Sequence, residues 1–219
     1  MICKPGSHHV KKHFRISTNG KRHIVEKHCR ANPKHKLKTL FASNFGYLFI
    51  NRKKKYSKLK TIKGQKDSGQ YDEMVQFWLD YWKDKNEINF SIDPMIVKSI
   101  IAVESSFREK VITKTPGSSA TGLMQITKST MKWLSGKPNK DGYIQVRKNQ
   151  IDINQEEAKF ANSNIAAGTR WLIFKICTSP DRKSKSNKKR LHSGIKFYYG
   201  WSENGQKYLE KVLKVYDAN

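Results

Sequence analysis

The stretch DPMIVKSIIAVESSF, residues 93–107, sets the register of one helix and puts a carboxyl group on its apolar face. Asp93 has the chemistry of an N-cap, and Pro94 suits the first helical position, where a missing N–H leaves nothing unsatisfied. Val97, Ile100, Ile101 and Glu104 follow the spacing of a single helical face, and Phe107 carries it one turn further. A fold that buries this stripe has to take in Glu104 as well. Burial of an unpaired carboxylate is costly and raises its pKa above the ordinary value of about 4.3, so part of the population stays protonated near neutrality. That is the state a general acid needs. For an isolated glutamate near a helix end, the plainer expectation is a head group in water at the edge of the stripe.

Neighbouring segments repeat the helical pattern. YDEMVQFWLDYWKDKN, residues 71–86, sets Met74, Val75, Trp78, Leu79 and Trp82 on one face, and further helices are predicted at about 127–135, 155–178 and 190–217. No strand is predicted after residue 70, so residues 67–219 read as an all-α domain. IKGQKDSGQ, residues 62–70, is polar and glycine-containing and reads as a linker, and RKSKSNKKR, residues 182–190, as an exposed, mobile loop. The apolar run at 40–50 is broken by Ser43, Asn44 and Gly46 and falls short of the ~20 residues that span a bilayer, so no membrane span is expected.

Charge is unevenly distributed. The chain has 44 Lys and Arg against 18 Asp and Glu, a net charge of +26. Residues 1–66 hold 19 of the basic residues and one acidic residue, Glu26, which is +18 and leaves +8 for residues 67–219. Such an excess favours a polyanionic partner: a wall polymer, an anionic lipid surface or nucleic acid. Asn19 and Gly20 sit between short β-prone runs, the signal for a two-residue hairpin turn, so the first third reads as a small hairpin or a disordered arm. Cys3, Cys29 and Cys177 are odd in number and widely spaced, and are expected to be free thiols. Cys3, His8, His13, His28 and Cys29 complete no paired finger spacing, so no metal is expected, and His192 reads as a surface residue.

Downstream of Glu104, the turn-rich TKTPGSSATG leads into GLMQIT, residues 122–127. Gly122 permits an unusual backbone path there, and Gln125 offers an amide among Leu123, Met124 and Ile126. A shielded acid facing an amide is a catalytic layout. With these residues the sequence resembles the lytic transglycosylases of the soluble-lytic-transglycosylase (SLT) type, which share the lysozyme-like fold. The matching stretches are ESSF at 104–107, GLMQIT at 122–127, NIAAGTRWL at 164–172 and, more weakly, FYYGWSENGQKYLEKVLKVY at 197–216.

The resemblance implies cleavage of the β-1,4 bond between N-acetylmuramic acid and N-acetylglucosamine in peptidoglycan, with no cofactor. In that family the glutamate matching Glu104 protonates the glycosidic oxygen and then acts as base on the muramoyl C6 hydroxyl, closing a 1,6-anhydro ring. Ser105 or Ser106, together with Gln125, would orient the substrate or the carboxyl, and Met124 would line the sugar groove. A family tyrosine that hydrogen-bonds the glutamate corresponds to Tyr198; the Asn that usually follows is replaced by Tyr199, before Gly200. Asn164, Ile165, Gly168, Trp171 and Leu172 match a structural helix and read as core.

A second carboxylate facing Glu104 would favour hydrolysis, as in goose-type lysozymes, and Asp141, Asp152 and Glu156 are its candidates. For residues 1–66 the preferred reading is an arm that binds anionic wall polymer. Tyr47, Phe49 and Tyr56 beside the basic run 52–55 make nucleic acid the runner-up, with an inactive lysozyme-like domain as the corresponding alternative for the chain. The expected fold is thus mainly α, a lysozyme-like catalytic domain at 67–219 behind a basic, irregular or small-β extension at 1–66, acting as a monomer at the bacterial wall. No secretory leader pattern opens the sequence, so delivery by phage, lysis or a secretion or conjugation system is anticipated.

Overall fold

Helix α5, Ala161–Thr178, is buried on every side: its residues from Ser163 to Ile173 are all shielded from solvent. A helix apolar all round belongs at the centre of a domain. It is covered by α1 (Ala42–Ile50), α2 (Asp72–Lys85), α4 (Lys128–Leu134) and α6 (Asn187–Tyr199). Beyond them α3, Pro94–Ser105, packs between α2 and α7, Glu203–Asp217, and α7 closes back on α6. This computed structural model describes residues 1–17, 20–32, 39–115, 118–139, 141–200 and 202–219. The architecture is mainly α with a small-β N-terminal region, as the sequence predicts.

Helix α3 forms as its caps require. The Asp93 side chain accepts the N–H of Met95 at 2.8 Å, and Pro94 opens the helix. Several sequence expectations are corrected nearby. Strands do follow residue 70: β6 (Ile112–Thr115), β7 (Ser118–Thr121) and β8 (Ile126–Thr127) make an antiparallel meander. Threonine and isoleucine dominate these runs and favour the pleat, but two to four residues are too few for a legible alternation. The predicted helix at 190–217 is two helices, α6 and α7, divided at Gly200. They meet so closely that a Cβ on Gly205 would lie 2.0 Å from the Gly200 carbonyl oxygen. The basic run at 182–190, expected as a loop, is mostly helical: Pro180–Lys183 is a 3-10 turn, and α6 starts at Asn187 behind the Ser186 cap.

The segment at 62–70 is packed, not a free linker. Ile62 and Ser68 are buried, the Ser68 hydroxyl accepts the Ile62 N–H at 3.0 Å, and Lys66–Tyr71 is a 3-10 helix. The core also continues upstream of it, since Phe45 of α1 is fully buried and meets Trp78 edge-on with ring centroids 5.3 Å apart.

At the N-terminus, β1 (Ser7–Val10) pairs antiparallel with β4 (His28–Ala31), and β2 (His13–Ile16) with β3 (Arg22–Val25), two separate two-stranded sheets nested in sequence as successive parts of a ribbon. Gly20 of the expected turn has a left-handed φ of 77°, while Asn19 lies outside the described residues. The expectation of three free thiols is corrected as well: Cys3 and Cys29 form a disulfide, and Cys177 is free. Their wide spacing hid the pairing, which the long-range approach of the first residues to β4 brings about. The root of the ribbon is pinned to α1, where the buried Asn44 amide donates to the carbonyls of Cys3, Lys4 and Ser7 at 2.8–3.0 Å. A two-stranded parallel contact joins β5 (Leu40–Phe41) to β9 (Ile151–Asp152).

Inside the body, Lys98 of α3 is fully buried and bonds to Asp72 Oδ1 at 2.6 Å and the Lys60 carbonyl at 2.7 Å, while Asp72 Oδ2 accepts the Leu59 N–H. The pair thereby ties the chain at 59–60 to α2 and α3. Removing one partner of such a pair strands the other, at a cost of about 3–5 kcal/mol. Lys98→Met should therefore lower urea stability by about 3 kcal/mol, and adding Asp72→Asn, which discharges the stranded partner, should recover part of the loss.

Candidate active site

Glu104 stands in the last turn of α3, and the residues after it turn the chain back over its carboxyl. Ser106 and Phe107 both adopt left-handed backbone, with φ of 50° and 60°, and Phe107 stacks on Tyr71 at 5.8 Å between centroids. The chain then passes through β6 to β8, which face Glu104 across a cleft of about 300 Å3 lined by Glu104, Thr113, Gln125, Thr127, Trp171 and Tyr199 among others.

The wall opposite Glu104 is held by Asn164 from α5. Its Oδ1 accepts the Met124 N–H at 2.7 Å, and its Nδ2 donates to the carbonyls of Thr121 at 2.8 Å and Ala158 at 2.7 Å. Gly122 is required in this wall, since its φ is 78° and a Cβ would fall 2.3 Å from Asn164 Nδ2. Gly168 is required behind it, because a Cβ there would meet Met124 Sδ at 2.3 Å. Gln125 also has a left-handed φ, 46°, and its amide nitrogen is committed to the carbonyls of Gly122 and Val111. What it can offer a ligand is its carbonyl oxygen.

Two tyrosines divide the work on the other side. Tyr208 Oη donates to Glu104 Oε1 at 2.7 Å, and Tyr198 Oη donates to the Met124 carbonyl at 2.8 Å. Burial holds both phenols well above their ordinary pKa, so they remain neutral donors. Tyr208 is stacked against Tyr198 and Tyr199, with centroids 6.2 and 4.9 Å away. Desolvation pushes the Glu104 pKa up to about 7, and the Tyr208 hydrogen bond, which favours the charged form, pulls it the other way. A carboxylic acid half-protonated at neutrality can both give and take a proton.

The structure sorts the sequence candidates. Glu104, Gln125, Tyr198 and Tyr199 line the cleft together. Ser105 is buried and donates to the Ile101 carbonyl, Ser106 is exposed and turned to the Ala102 carbonyl, and neither lines the cleft. Met124 is fully buried behind the wall. The hydrogen bond to Glu104 that the resemblance gives to Tyr198 is made by Tyr208 instead, because Tyr198 is engaged at Met124. Trp171, read as core, is almost fully buried yet lines the cleft. Thr127, the last residue of GLMQIT, joins it, as do Thr113 and Thr130, which have no sequence signal beyond their proximity to the motifs.

Among the described residues, Glu104 is the one carboxylate in the lining. Asp141 is exposed in a turn closed by Asn139, and Glu156 is exposed and paired with Lys159. Asp152 lines a separate hollow beside β1 and α1. No group of three or more His, Cys, Asp or Glu is placed to hold a metal among the described residues.

Residues 80–177 match the family model of the transglycosylase SLT domain. No curated protein and no solved structure matches the chain. The matched segment contains Glu104, Gln125 and Asn164 and ends before α6 and α7, so Tyr198 and Tyr208 come from outside it.

Two stability measurements follow. Asn164→Ala removes three buried hydrogen bonds and should cost about 3 kcal/mol or more in urea unfolding. Glu104 has a folded pKa of about 7 against an ordinary 4.5, so its contribution is intact below about pH 4.5 and is lost as pH rises through 7. Glu104→Gln should therefore leave stability unchanged near pH 4 and raise it by about 3 kcal/mol near pH 8.

Proposed function

We propose, from the match of residues 80–177 to the transglycosylase SLT domain, that this chain cleaves the MurNAc–GlcNAc β-1,4 bond of peptidoglycan as a lytic transglycosylase with Glu104 as its acid and base. The observation that carries the reading is a single carboxyl, raised to about 7, at the end of a cleft whose described lining offers no second carboxylate. Protonated Glu104 gives its proton to the glycosidic oxygen as the bond to the muramoyl C1 breaks and the GlcNAc hydroxyl leaves. The resulting carboxylate takes the proton of the muramoyl C6 hydroxyl, whose oxygen closes on C1. One carboxyl is regenerated, water is not consumed, and the product is a 1,6-anhydro ring. Hydrolysis with inversion would need a base to activate water on the opposite face of the sugar.

Tyr208 orients the carboxyl, Asn164 fixes the facing wall, and Gln125, Tyr198 and Tyr199 bind the sugars in this reading. Ser105 and Ser106 act at most through the backbone turn they form, and Met124 through the wall it anchors. Residues 67–219 supply the chemistry, and the +18 of residues 1–66 holds the enzyme at an anionic layer of the envelope. The Cys3–Cys29 disulfide supports action in an oxidising compartment outside the cytoplasm, where a wall enzyme works and a nucleic-acid partner is less available.

Peptidoglycan digested by the full chain should yield muropeptides ending in 1,6-anhydromuramic acid by mass spectrometry, and Glu104→Gln should abolish them while remaining folded. Reducing ends would replace the lyase by a hydrolase, and undiminished activity of Glu104→Gln would remove the proposed acid. The rate should fall above about pH 7 as Glu104 ionises. Tyr208→Phe, by removing a bond to the carboxylate, should move that alkaline limb upward as well as lower the rate.

A further inference from the structure

Most of the exposed large apolar side chains among the described residues sit where the positive charge is highest. Seven of those eleven, including Met1, Ile2 and Ile50, belong to the first fifty residues. The rest of the group is concentrated on the β2–β3 hairpin, where Phe14, Ile16 and Ile24 are 65%, 66% and 50% exposed. Phe14 is directly opposite Ile24, and Ile16 is opposite Arg22, so these four share one face of the ribbon. The Arg22 guanidinium lies 5.3 Å from the Phe14 ring centroid on that face. His13, Arg15, His23 and Val25 form the other.

Among the described residues, every side chain of β2 and β3 except the half-buried Val25 is exposed. A two-stranded ribbon exposed on both sides is marginal in water, and leaving three large apolar side chains on it adds no stability. Its root, in contrast, is fixed by the Cys3–Cys29 disulfide and by the Asn44 bonds to the first strand. The arm is thus anchored at the base and presents an unpartnered apolar face among cations: residues 1–32 carry eight Lys or Arg and one acidic residue.

The chemistry of the face selects among anionic partners. A polyphosphate or nucleic acid chain rewards Lys and Arg through counterion release but gains nothing from isoleucine. Single-stranded nucleic acid rewards aromatic rings, yet the one ring on this face is already accompanied by Arg22. A bilayer interface with anionic headgroups rewards both properties at once, aliphatic and aromatic groups at the acyl boundary and Lys or Arg at the phosphates.

We propose that the β2–β3 hairpin is a membrane-docking element, which seats Phe14, Ile16 and Ile24 in the interface of an anionic bilayer while Arg22 on the same face, with Lys11, contacts the headgroups. The body, hydrogen-bonded to the root through Asn44, is then held beside the glycan layer that adjoins the membrane. The inference rests on the wall-enzyme reading only for its setting, because lipid binding is measured without the cleavage step.

The test is co-sedimentation of the full chain with phosphatidylcholine vesicles containing or lacking about one-third phosphatidylglycerol, beside a Phe14→Ser/Ile16→Ser/Ile24→Ser variant of identical charge. The wild type should bind the anionic vesicles and not the neutral ones, and the variant should bind them about tenfold or more weakly. Because these side chains are exposed, the variant should cleave soluble peptidoglycan at the wild-type rate, which also reports that it is folded. Equal vesicle binding by variant and wild type would reduce the arm to charge alone and overturn the proposal. So would absence of vesicle binding together with equal binding of both proteins to teichoic acid or to single-stranded DNA.

Discussion

Burying Glu104 is unfavourable in itself, and much of the surrounding structure exists to make it tolerable. Val97, Ile100 and Ile101 of the same helix are fully buried, so the stripe cannot turn outward to give its carboxyl to water. Desolvation is offset by protonation and by one hydrogen bond from Tyr208, which reaches it from α7 near the end of the chain. The position of α7 depends in turn on its close contact with α6, where a side chain at Gly205 would not fit. The acid therefore depends on a helix 104 residues away in sequence.

The facing wall has the same character. Its backbone takes left-handed turns at Gly122 and Gln125, and three hydrogen bonds from one asparagine replace the regular partners that such a loop lacks. Asn164 sits on the central helix, whose own position is fixed by packing on all sides, so precision at the cleft derives from the core. Small residues at 122 and 168 allow the approach.

The sequence disclosed what is local and periodic. The N-cap, the helical face and the inward placement of Glu104 were legible from Asp93 to Glu104, because each depends on residues within a few turns; the stop at Ser105, which leaves Phe107 off the helix in a left-handed turn, was not. The meander at 112–127 was not, because its strands are too short to alternate, and neither was the division at Gly200. Lys98 has no local signature either, because its partners at Asp72 and Lys60 come together only through tertiary packing. Tyr208 lay inside a recognised stretch, but two nearby tyrosines compete for the same role, and only the folded geometry assigns one to the acid and the other to the wall. The disulfide between Cys3 and Cys29 depends on strand pairing across the whole arm and has no local signature.

The chain thus joins a cleft built for one titrating carboxyl to an arm whose charge and exposed apolar residues look outward. The proposed chemistry depends on the protonation state of that carboxyl. Titration of the full-length protein by carbon-13 NMR, with the Glu104 resonance assigned from its loss in Glu104→Gln, measures it directly. A midpoint near pH 7 is expected. A midpoint near the ordinary value of 4.5 would mean that Glu104 is ionised at neutral pH and is not the acid that the cleft is built around.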